Sequence, residues 1–408
     1  MPWYLGDALA LSPLLRQGAD LGGVQGLSFA IALCAAALVQ TAAVGERRRR
    51  DGNGWRRLSW LGLAAVVVLS MLAYGYNRLG AYSETNTDFE VAVIQSGQGS
   101  RDNLPPGGDA WATYLRLTVE HSALRGGHRP DAAKLTVWPE TVLRSYPAHD
   151  AQVEAQLTTL ARHLDHPLVV GALDRAEDGR ERNSAFLIDS DGISQRYHKR
   201  RLVAFAEAIP AAGSIPFAQR WRLTGRFAAG EGFALMDLTA SVRAAVLICF
   251  EAIHAGAYLE EVRGGARLLL NLTDDSWFEN AAEAQIHLNA TVMRAVELRR
   301  WLVRTSGSGI SAFVDPKGEV VASLPLFTAG ALQHGVELRH ELSPYARFGE
   351  WPLAFAAAAL LAAWVLRRGR CDWGAERAGR GDDQRKLSWD WCRSSRIRSQ
   401  QPRRSTTR

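Results

Sequence analysis

Cysteine is scarce in this chain, which has only four among its 408 residues. Cys34 lies in an apolar run near the amino terminus, and Cys371 and Cys392 lie in a basic carboxy-terminal tail. Cys249 is the only cysteine between residues 83 and 347. This distribution excludes an intramolecular disulfide in that stretch, so the lone thiol is either a small buried side chain or a group with a chemical role.

Motifs that would indicate a cofactor are absent. The sequence has no metal-ligating cluster at ligand spacing, no glycine-rich phosphate loop and no dinucleotide-binding fingerprint, so neither a metal nor an organic cofactor is implied. A basic segment ahead of an apolar core is also missing from residues 1–26, which contain Asp7, Arg16 and Asp20. A cleaved signal peptide is therefore not expected.

Excess positive charge is lacking outside the carboxy-terminal tail. Residues 367–408 contain 13 Lys and Arg against 5 Asp and Glu, a net charge of +8, whereas the whole chain carries +6. With so few aliphatic residues, this tail is expected to be disordered. We expect it to lie near anionic lipid headgroups in the cytoplasm rather than to bind nucleic acid.

Charge is absent from three apolar stretches, at residues 27–44, 58–77 and 351–366. The first two reach the roughly 20 residues that a helix needs to cross a hydrocarbon core about 30 Å thick, and the third is slightly shorter. Buried helices of a soluble protein are the alternative. Arginine clusters separate the first two stretches and follow the third, which favours membrane-spanning helices.

The same arginines predict an orientation in the cell inner membrane. The basic loop at residues 46–57 and the run RRGR at 367–370 are expected in the cytoplasm, because positive loops stay there. The chain between the second and third spans would then lie on the periplasmic side. The predicted organisation is a partial membrane domain, an exported catalytic domain, a carboxy-terminal transmembrane helix and a cytoplasmic tail, at residues 1–82, 83–347, 348–366 and 367–408.

The exported stretch alternates between strand-like and helix-like patterns. Amphipathic spacing predicts helices at about residues 110–122, 150–164 and 281–300. Short apolar or alternating runs predict strands at residues 89–94, 135–137, 168–172, 184–188, 233–238, 242–249, 267–272, 302–306, 309–314 and 319–324. This order predicts an α/β layered domain with a mixed sheet.

Three side chains capable of chemistry lie where we expect strands to end: Glu140 after VWP, Lys199 in YHKRR and Cys249 after VLI. Sites collect at such ends in α/β sheets, so the three could converge. A carboxylate would then take the thiol proton and the thiolate would attack a carbonyl, while a lysine ammonium and the Phe250 N–H would stabilise the oxyanion. From spacing alone, a surface acid, a loop lysine and an inert buried thiol are equally good interpretations.

The motifs around these residues resemble those of the carbon–nitrogen hydrolase (nitrilase) superfamily. In chain order they are VWPE, YHKRRLVAFAEAIP, ICFEAIH and NLTDDSWFENAAEAQIH. More narrowly, the chain resembles the membrane branch of that superfamily, the apolipoprotein N-acyltransferase family. This resemblance rests on PWYLGDALALSPLLRQGADLGGVQGLSF, the Leu-Val-x-Phe-x-Glu run after Lys199, MRAVELRRWLVRTSGSGISAFVDPKG and LSPYARFGEWP. It covers nearly all of residues 1–366.

The resemblance implies a four-layer α-β-β-α sandwich flanked by transmembrane helices, with a Glu-Lys-Cys triad. By position, Cys249 would be the nucleophile, Glu140 the general base and Lys199 the oxyanion-binding group. The implied reaction moves an acyl chain from a membrane phospholipid to the cysteine as a thioester, then to the N-terminal amine of a diacylated lipoprotein. That family begins with further membrane spans, and the chain is expected to lack them. Three explanations are open: the sequence is a fragment, its start codon is misplaced, or a partner protein supplies the missing spans.

Three further residues gain supporting roles from the resemblance. Glu207 would be a second carboxylate that helps to hold or deprotonate. Glu251 would support the site rather than react, although its position two residues after the cysteine first makes it a candidate base. Trp277, in DDSWF, would line an acyl pocket, with a core tryptophan as the equally good alternative.

Two other functions stay open on the sequence. A membrane-tethered amidase or nitrilase-type hydrolase would use the same triad with water as the acceptor, but it would gain nothing from the membrane spans. An inactive scaffold would keep only the fold. The retained triad argues against a scaffold, whereas the missing amino-terminal half argues for one.

Overall fold

The structure of the protein is a computed structural model that describes residues 4–47, 55–81, 87–98, 109–124, 133–208, 227–233, 235–276, 278 and 281–378. The chain divides into two compact units, Met1–Trp351 and Pro352–Arg408. The first unit contains both sheets of the fold, and the second is described only over its helix.

Two six-stranded sheets form the centre of the first unit. Their strands are β1 (Phe89–Gln95), β2 (Ala133–Val137), β3 (Leu168–Arg175), β4 (Glu181–Asp189), β5 (Gly192–His198), β6 (Leu235–Asp237), β7 (Arg243–Ile248), β8 (Leu268–Thr273), β9 (Leu302–Ser306), β10 (Ser311–Val314), β11 (Val320–Leu324) and β12 (Gly330–Val336). The strand orders are β12-β1-β2-β3-β4-β5 and β11-β10-β9-β8-β7-β6. Parallel pairs such as β1–β2 and β7–β8 occur beside antiparallel pairs such as β3–β4 and β9–β10, so both sheets are mixed.

Helices surround these sheets. They are α1 (Ala19–Arg47), α2 (Trp55–Gly80), α3 (Asp109–Leu124), α4 (Ala151–Leu164), α5 (Leu259–Arg263), α6 (Ala281–Leu298), α7 (Pro344–Phe348) and α8 (Trp351–Ala378). Helix α4 shows why its sequence folds this way. The Asp150 side chain caps its first turn by accepting hydrogen bonds from Gln152 N and Val153 N, while Leu157 and Leu160 fall on its buried face.

The two sheets face each other across the main apolar core. Val91 and Val93 of β1 belong to this core together with Val246 of β7 and Leu270 of β8, and none of them is exposed. Ile94 faces the other side of the first sheet, into the core under α3 and α4. Helix α6 packs against the second sheet. Each such buried aliphatic side chain contributes about 1.5–3 kcal/mol, so the alternation along the strands fixes which face each sheet buries.

The mixed α/β fold with two sheets confirms the predicted fold class at that level. For two strands, β5 and β12, the sequence predicted no bounds, although a strand end was expected at Lys199. Each lies at an edge of the first sheet, and the sequences GISQRYH and GALQHGV are mostly polar or small and only partly buried. Such edge strands pair along one side and need no apolar face, so they carry little of the pattern that predicts a strand.

Two segments are long and apolar enough to cross a membrane, Leu15–Ala42 and Ser59–Gly80. They overlap the first two predicted spans and lie largely in α1 and α2. A shorter apolar helical segment covers Trp351–Leu366. Helix α8 continues past it to Ala378, because the following arginines, alanines and glutamate favour a helix. The predicted boundary at residue 367 is therefore not a helix end, and residues 379–408 of the predicted tail lie outside the described residues.

Candidate active site

Cys249 directly follows strand β7, and its backbone is unusual. The strand ends at Ile248, and a 3-10 helix begins at Cys249 and ends at Ile253. Cys249 has a φ of 52°, in the left-handed region that residues other than glycine rarely adopt. Such a conformation costs about 1–3 kcal/mol, and it clusters at active sites, where the surroundings enforce it. At its carboxyl end, the strand predicted over residues 242–249 is thus one residue too long, because the chain turns sharply at the half-buried thiol.

Glu140 lies after strand β2 and is 8% exposed. Its Oε1 accepts hydrogen bonds from Asn183 Nδ2 at 2.7 Å and from Lys199 Nζ at 3.2 Å. Its Oε2 accepts a hydrogen bond from Asp274 N at 2.9 Å. Gly171 of β3 permits this close packing, because a Cβ there would lie 2.8 Å from Glu140 Cα. The carboxylate is therefore fixed in one orientation by three donors.

Lys199 lies between two carboxylates and is 1% exposed. Its Nζ is 3.2 Å from Glu140 Oε1 and 2.8 Å from Glu207 Oε1. Glu207 is itself held, because its Oε2 accepts a hydrogen bond from Val203 N at 2.8 Å. The structure thus brings together three of the residues that the sequence singles out, as one buried cation flanked by two anions.

The surroundings keep the thiol protonated in the absence of substrate. Burial raises the pKa of the Cys249 thiol, the charge of Glu140 raises it further, and Lys199 lowers it in part. Burial likewise raises the pKa of Glu140, against the lowering effect of Lys199. Burial alone would lower the pKa of the Lys199 ammonium, but its acidic neighbours, Glu140 foremost, outweigh that effect and raise it well above the ordinary value. The site therefore holds a neutral Cys249 thiol and a Lys199 side chain that stays protonated. Its third group is the Glu140 carboxyl group, whose raised pKa suits a general base.

Glu251, in the 3-10 helix, is buried and surrounded by donors. Its Oε1 accepts hydrogen bonds from Arg200 N at 2.8 Å and Arg201 N at 3.0 Å, and its Oε2 accepts one from Ile248 N at 2.9 Å. The Tyr197 hydroxyl lies 2.9 Å from both carboxylate oxygens. Glu251 therefore ties the end of β7 to the segment that follows β5, which are two of the segments predicted to carry the chemistry.

We expect Glu251→Gln to destabilise the protein without removing a reacting group. A glutamine offers one acceptor oxygen and an NH2 group that faces donors, so at least one buried N–H loses its partner. Each unpaired buried donor costs about 1–3 kcal/mol, and we expect the free energy of unfolding to fall by about 2–4 kcal/mol. Denaturant unfolding of the purified protein measures this change.

The matched control for that variant is Glu261→Gln. Glu261 is as buried as Glu251, but it accepts a hydrogen bond from the half-buried side chain Arg200 Nη2 at 2.7 Å. We expect the smaller loss in the control, because a side-chain donor can turn towards water whereas the backbone donors around Glu251 cannot. Equal losses in the two variants would contradict the bridging role of Glu251.

Phe250 follows the thiol and presents a backbone donor. The first N–H groups of a helix have no acceptor within it, and among the described residues none accepts from the Phe250 N–H. The Phe250 ring packs edge-on against His254, with centroids 4.9 Å apart. Trp277 lies outside the described residues, so its place in an acyl pocket stays a prediction.

One contact of the predicted acid was missed by sequence reasoning. The Asn183 side chain donates a hydrogen bond to Glu140 at 2.7 Å. The sequence does contain a signal for Asn183. It lies at every second position of β4 together with Ala185 and Leu187, and these two residues face the main core. A polar residue at such an inward position needs a partner, which makes it a candidate site residue.

A second buried charge cluster fixes the segment after β8. Arg304 Nη2 donates to the two Asp275 oxygens at 2.9 and 2.8 Å, and His287 Nδ1 is 2.9 Å from Asp275 Oδ1. Burial would raise the pKa of Asp275, but Arg304 and His287 hold it well below its ordinary range. The neighbouring Asp274 N–H is thereby held towards Glu140. Over the part of the chain that the structure describes, no group of three or more His, Cys, Asp and Glu is placed to hold a metal ion.

Two solved structures match part of this chain at low sequence identity. An amidase from Nesterenkonia sp. matches with a TM-score of 0.47 and 17% identity, over 68% of this chain and 99% of that one. A carbon–nitrogen hydrolase from Helicobacter pylori G27 matches with a TM-score of 0.45 and 16% identity, over 60% of this chain and 87% of that one.

Sequence comparison gives the family. The carbon–nitrogen hydrolase profile matches residues 90–340. Proteins named apolipoprotein N-acyltransferase from Geobacter metallireducens and Bradyrhizobium diazoefficiens are 34% and 31% identical to this chain over 90% of its length, and it covers 70% and 69% of theirs. The protein of that name from Photobacterium profundum is 27% identical over 87% of this chain and 66% of its own length. The chain thus spans about two thirds of the curated relatives it matches, and it belongs to the apolipoprotein N-acyltransferase family of carbon–nitrogen hydrolases.

Proposed function

We propose that the protein transfers an acyl chain from a membrane phospholipid to the N-terminal amine of diacylated lipoproteins, through a thioester on Cys249. One observation carries this proposal: in a chain of this family, the buried Lys199–Glu140 ion pair is near enough to Cys249, which is held at a positive φ, for both charges to act on the pKa of its thiol. The name of the relatives, apolipoprotein N-acyltransferase, describes an acyl transfer of this kind. The roles that we assign to individual residues of this chain are part of the proposal.

In the first half-reaction, Glu140 removes the thiol proton as Cys249 Sγ attacks the carbonyl carbon of the phospholipid ester. The Lys199 ammonium and the Phe250 N–H stabilise the oxyanion of the tetrahedral intermediate. On collapse the ester C–O bond breaks, the thioester remains, and Glu140 returns the proton to the lysophospholipid alkoxide. Because burial raises the pKa of the Cys249 thiol, the thiol enters this step protonated and needs a base.

In the second half-reaction, the neutral α-amine of the lipoprotein attacks the thioester carbonyl. Glu140 takes a proton from the attacking nitrogen and passes it to Cys249 Sγ as the C–S bond breaks. The products are an amide and the free thiol. Through both steps Glu207 holds Lys199 in place, since its carboxylate lies 2.8 Å from Lys199 Nζ.

The membrane setting completes the proposal. We assign membrane spans to α1, α2 and the apolar part of α8, with residues 83–347 on the periplasmic side of the inner membrane. The basic loops support the orientation, and exposed aliphatic side chains such as Val66 and Leu69 of α2 are what a lipid-facing helix requires. Both substrates are membrane-bound, so the tether keeps the site at the bilayer surface.

Incubation of the purified protein with phospholipid tests the acyl-enzyme. We expect the peptide that contains Cys249 to gain the mass of one acyl chain, and neutral hydroxylamine to remove it, since hydroxylamine cleaves thioesters. Addition of a diacylated lipopeptide should then discharge the thioester and yield an N-acylated peptide. Absence of a lipid adduct, together with release of ammonia from small amides, would instead indicate a hydrolase that uses water as the acceptor.

A further inference from the structure

Helix α1 contains a kink, and two side chains from late in the chain, Glu297 and Tyr345, lie against it. Gly22 (φ −144°, ψ 17°) and Gly23 (φ 69°, ψ −178°) leave the helical conformation. A Cβ on Gly23 would lie 2.5 Å from the Tyr345 ring, so glycine is required at this close approach. The kink opens the helical hydrogen-bond ladder, and the Val24 N–H donates instead to Glu297 Oε1 at 2.7 Å.

Glu297 forms a buried ion pair with Arg294 on helix α6. Arg294 Nη2 donates to Glu297 Oε1 at 2.9 Å, and Arg294 Nε lies 2.9 Å from Glu297 Oε2. Arg294 Nη1 donates to the backbone oxygen of His254 at 2.6 Å. Neither charged side chain has any exposed surface. Buried charges persist only when they are paired and hydrogen-bonded, so each partner of this pair is constrained by the other.

His254 connects the pair to the thiol. It closes the 3-10 helix that begins at Cys249, and its N–H donates to Glu251 O at 3.3 Å. Its ring packs against Phe250, whose N–H we assign to the oxyanion. A continuous set of hydrogen bonds therefore runs from the kink of α1, through the buried ion pair, to the helix that carries the nucleophile.

We propose that Arg294 and Glu297 are positioning residues that couple the kink of α1 to Cys249, so that displacement of this membrane-length helix changes the rate at which the thiol is acylated. The inference rests on the nucleophile role proposed above. Neither side chain is assigned to the reacting atoms, and both act through the His254 carbonyl. A misplacement of about 1 Å in an active site can cost on the order of 100-fold in rate, so a weak mechanical link is enough.

Arg294→Lys tests the coupling, with Arg300→Lys as its matched control. Arg300 is also buried and lies two residues after the end of α6. It donates to the backbone oxygens of Ala266 and Glu341 rather than to the 3-10 helix. The measurement is single-turnover acylation of Cys249 by a soluble p-nitrophenyl ester, which needs neither phospholipid nor lipoprotein. We expect Arg294→Lys to lower the maximal acylation rate constant by roughly 10- to 100-fold at an unchanged half-saturating ester concentration. The control should lower the thermal midpoint but leave that rate constant unchanged.

Val24→Pro tests the same link from the membrane helix. It deletes the N–H that Glu297 binds, and proline is tolerated in the first turn after a break, where the helix does not need that donor. We expect Val24→Pro alone to slow acylation. In the Arg294→Lys background it should reduce the rate little further, because both substitutions interrupt the same series of hydrogen bonds. Additive effects, or equal rate losses in Arg294→Lys and Arg300→Lys, would overturn the proposal. Loss of lipid adducts while the soluble ester still acylates Cys249 would instead count against the proposed acyl transfer.

Discussion

Cys249→Ala is expected to abolish both half-reactions while the protein still folds. The substitution removes the atom that forms the thioester. Loss of a nucleophile that works as part of a catalytic unit costs roughly 10⁴–10⁶ in kcat, so we expect a fall of at least about 10⁴-fold. Alanine lacks only the sulfur, and the left-handed backbone with φ of 52° costs alanine about what it costs cysteine.

Cys34→Ala is the matched control for this result. Cys34 lies in α1, where its Sγ is 4.0 Å from Ala64 O, and its loss should leave acyl transfer unchanged. Transfer is measured as the mass of the N-terminal peptide of an acceptor lipoprotein, and folding as the thermal midpoint of each purified variant. Full N-acylation by Cys249→Ala would contradict the assignment of the nucleophile.

The central elements of the fold could be predicted because their sequences carry a regular period. Strand β7 is an apolar run that the second sheet buries, and its predicted bounds differ from the observed ones by one residue at each end. Strand β12 has no such run, because it pairs with β1 at the edge of the first sheet. The left-handed turn at Cys249 could not be predicted, since cysteine has no preference for this conformation, which is typical of glycine and, less often, of asparagine and aspartate. Its surroundings enforce it, including the bond from Ile248 N to Glu251.

The members of the site could be predicted better than their arrangement. Each residue of the proposed triad follows the end of a strand, which the sequence indicates. The contact between Glu140 and Lys199 spans 59 residues. Their places at strand ends made the contact possible, and the resemblance to a family implied it. The third donor to Glu140, the Asp274 N–H, is a backbone group and leaves no signal in side-chain identity. Glu251 was singled out from the sequence as a supporting residue, but its several donors could be found only in the structure.

Lys199→Met is expected to reduce both stability and rate. The ammonium lies between Glu140 and Glu207, so the substitution leaves two buried carboxylates without their cation. Loss of one partner from a buried pair costs about 3–5 kcal/mol, and loss of an oxyanion-binding group costs roughly 10²–10³ in rate. Burial raises the pKa of Glu140 and Lys199 lowers it, so in the variant that pKa rises further. A general base must be unprotonated. As the pH is lowered, the residual activity of the variant should therefore disappear at a higher pH than the activity of the unsubstituted protein.

The double variant Lys199→Met/Glu207→Gln separates the effect on the fold from the effect on the chemistry. It removes the cation together with one anion, so most of the lost stability should return, whereas the rate should not, because no ammonium faces the oxyanion. Lys317→Met is the control, since Lys317 pairs with Asp315 at 3.4 Å, is 30% exposed, and such pairs contribute about 1 kcal/mol or less. Thermal midpoints and single-turnover rates of thioester formation across pH measure both effects. Recovery of the rate along with the stability would mean that Lys199 serves the fold and leaves the oxyanion to the Phe250 N–H alone.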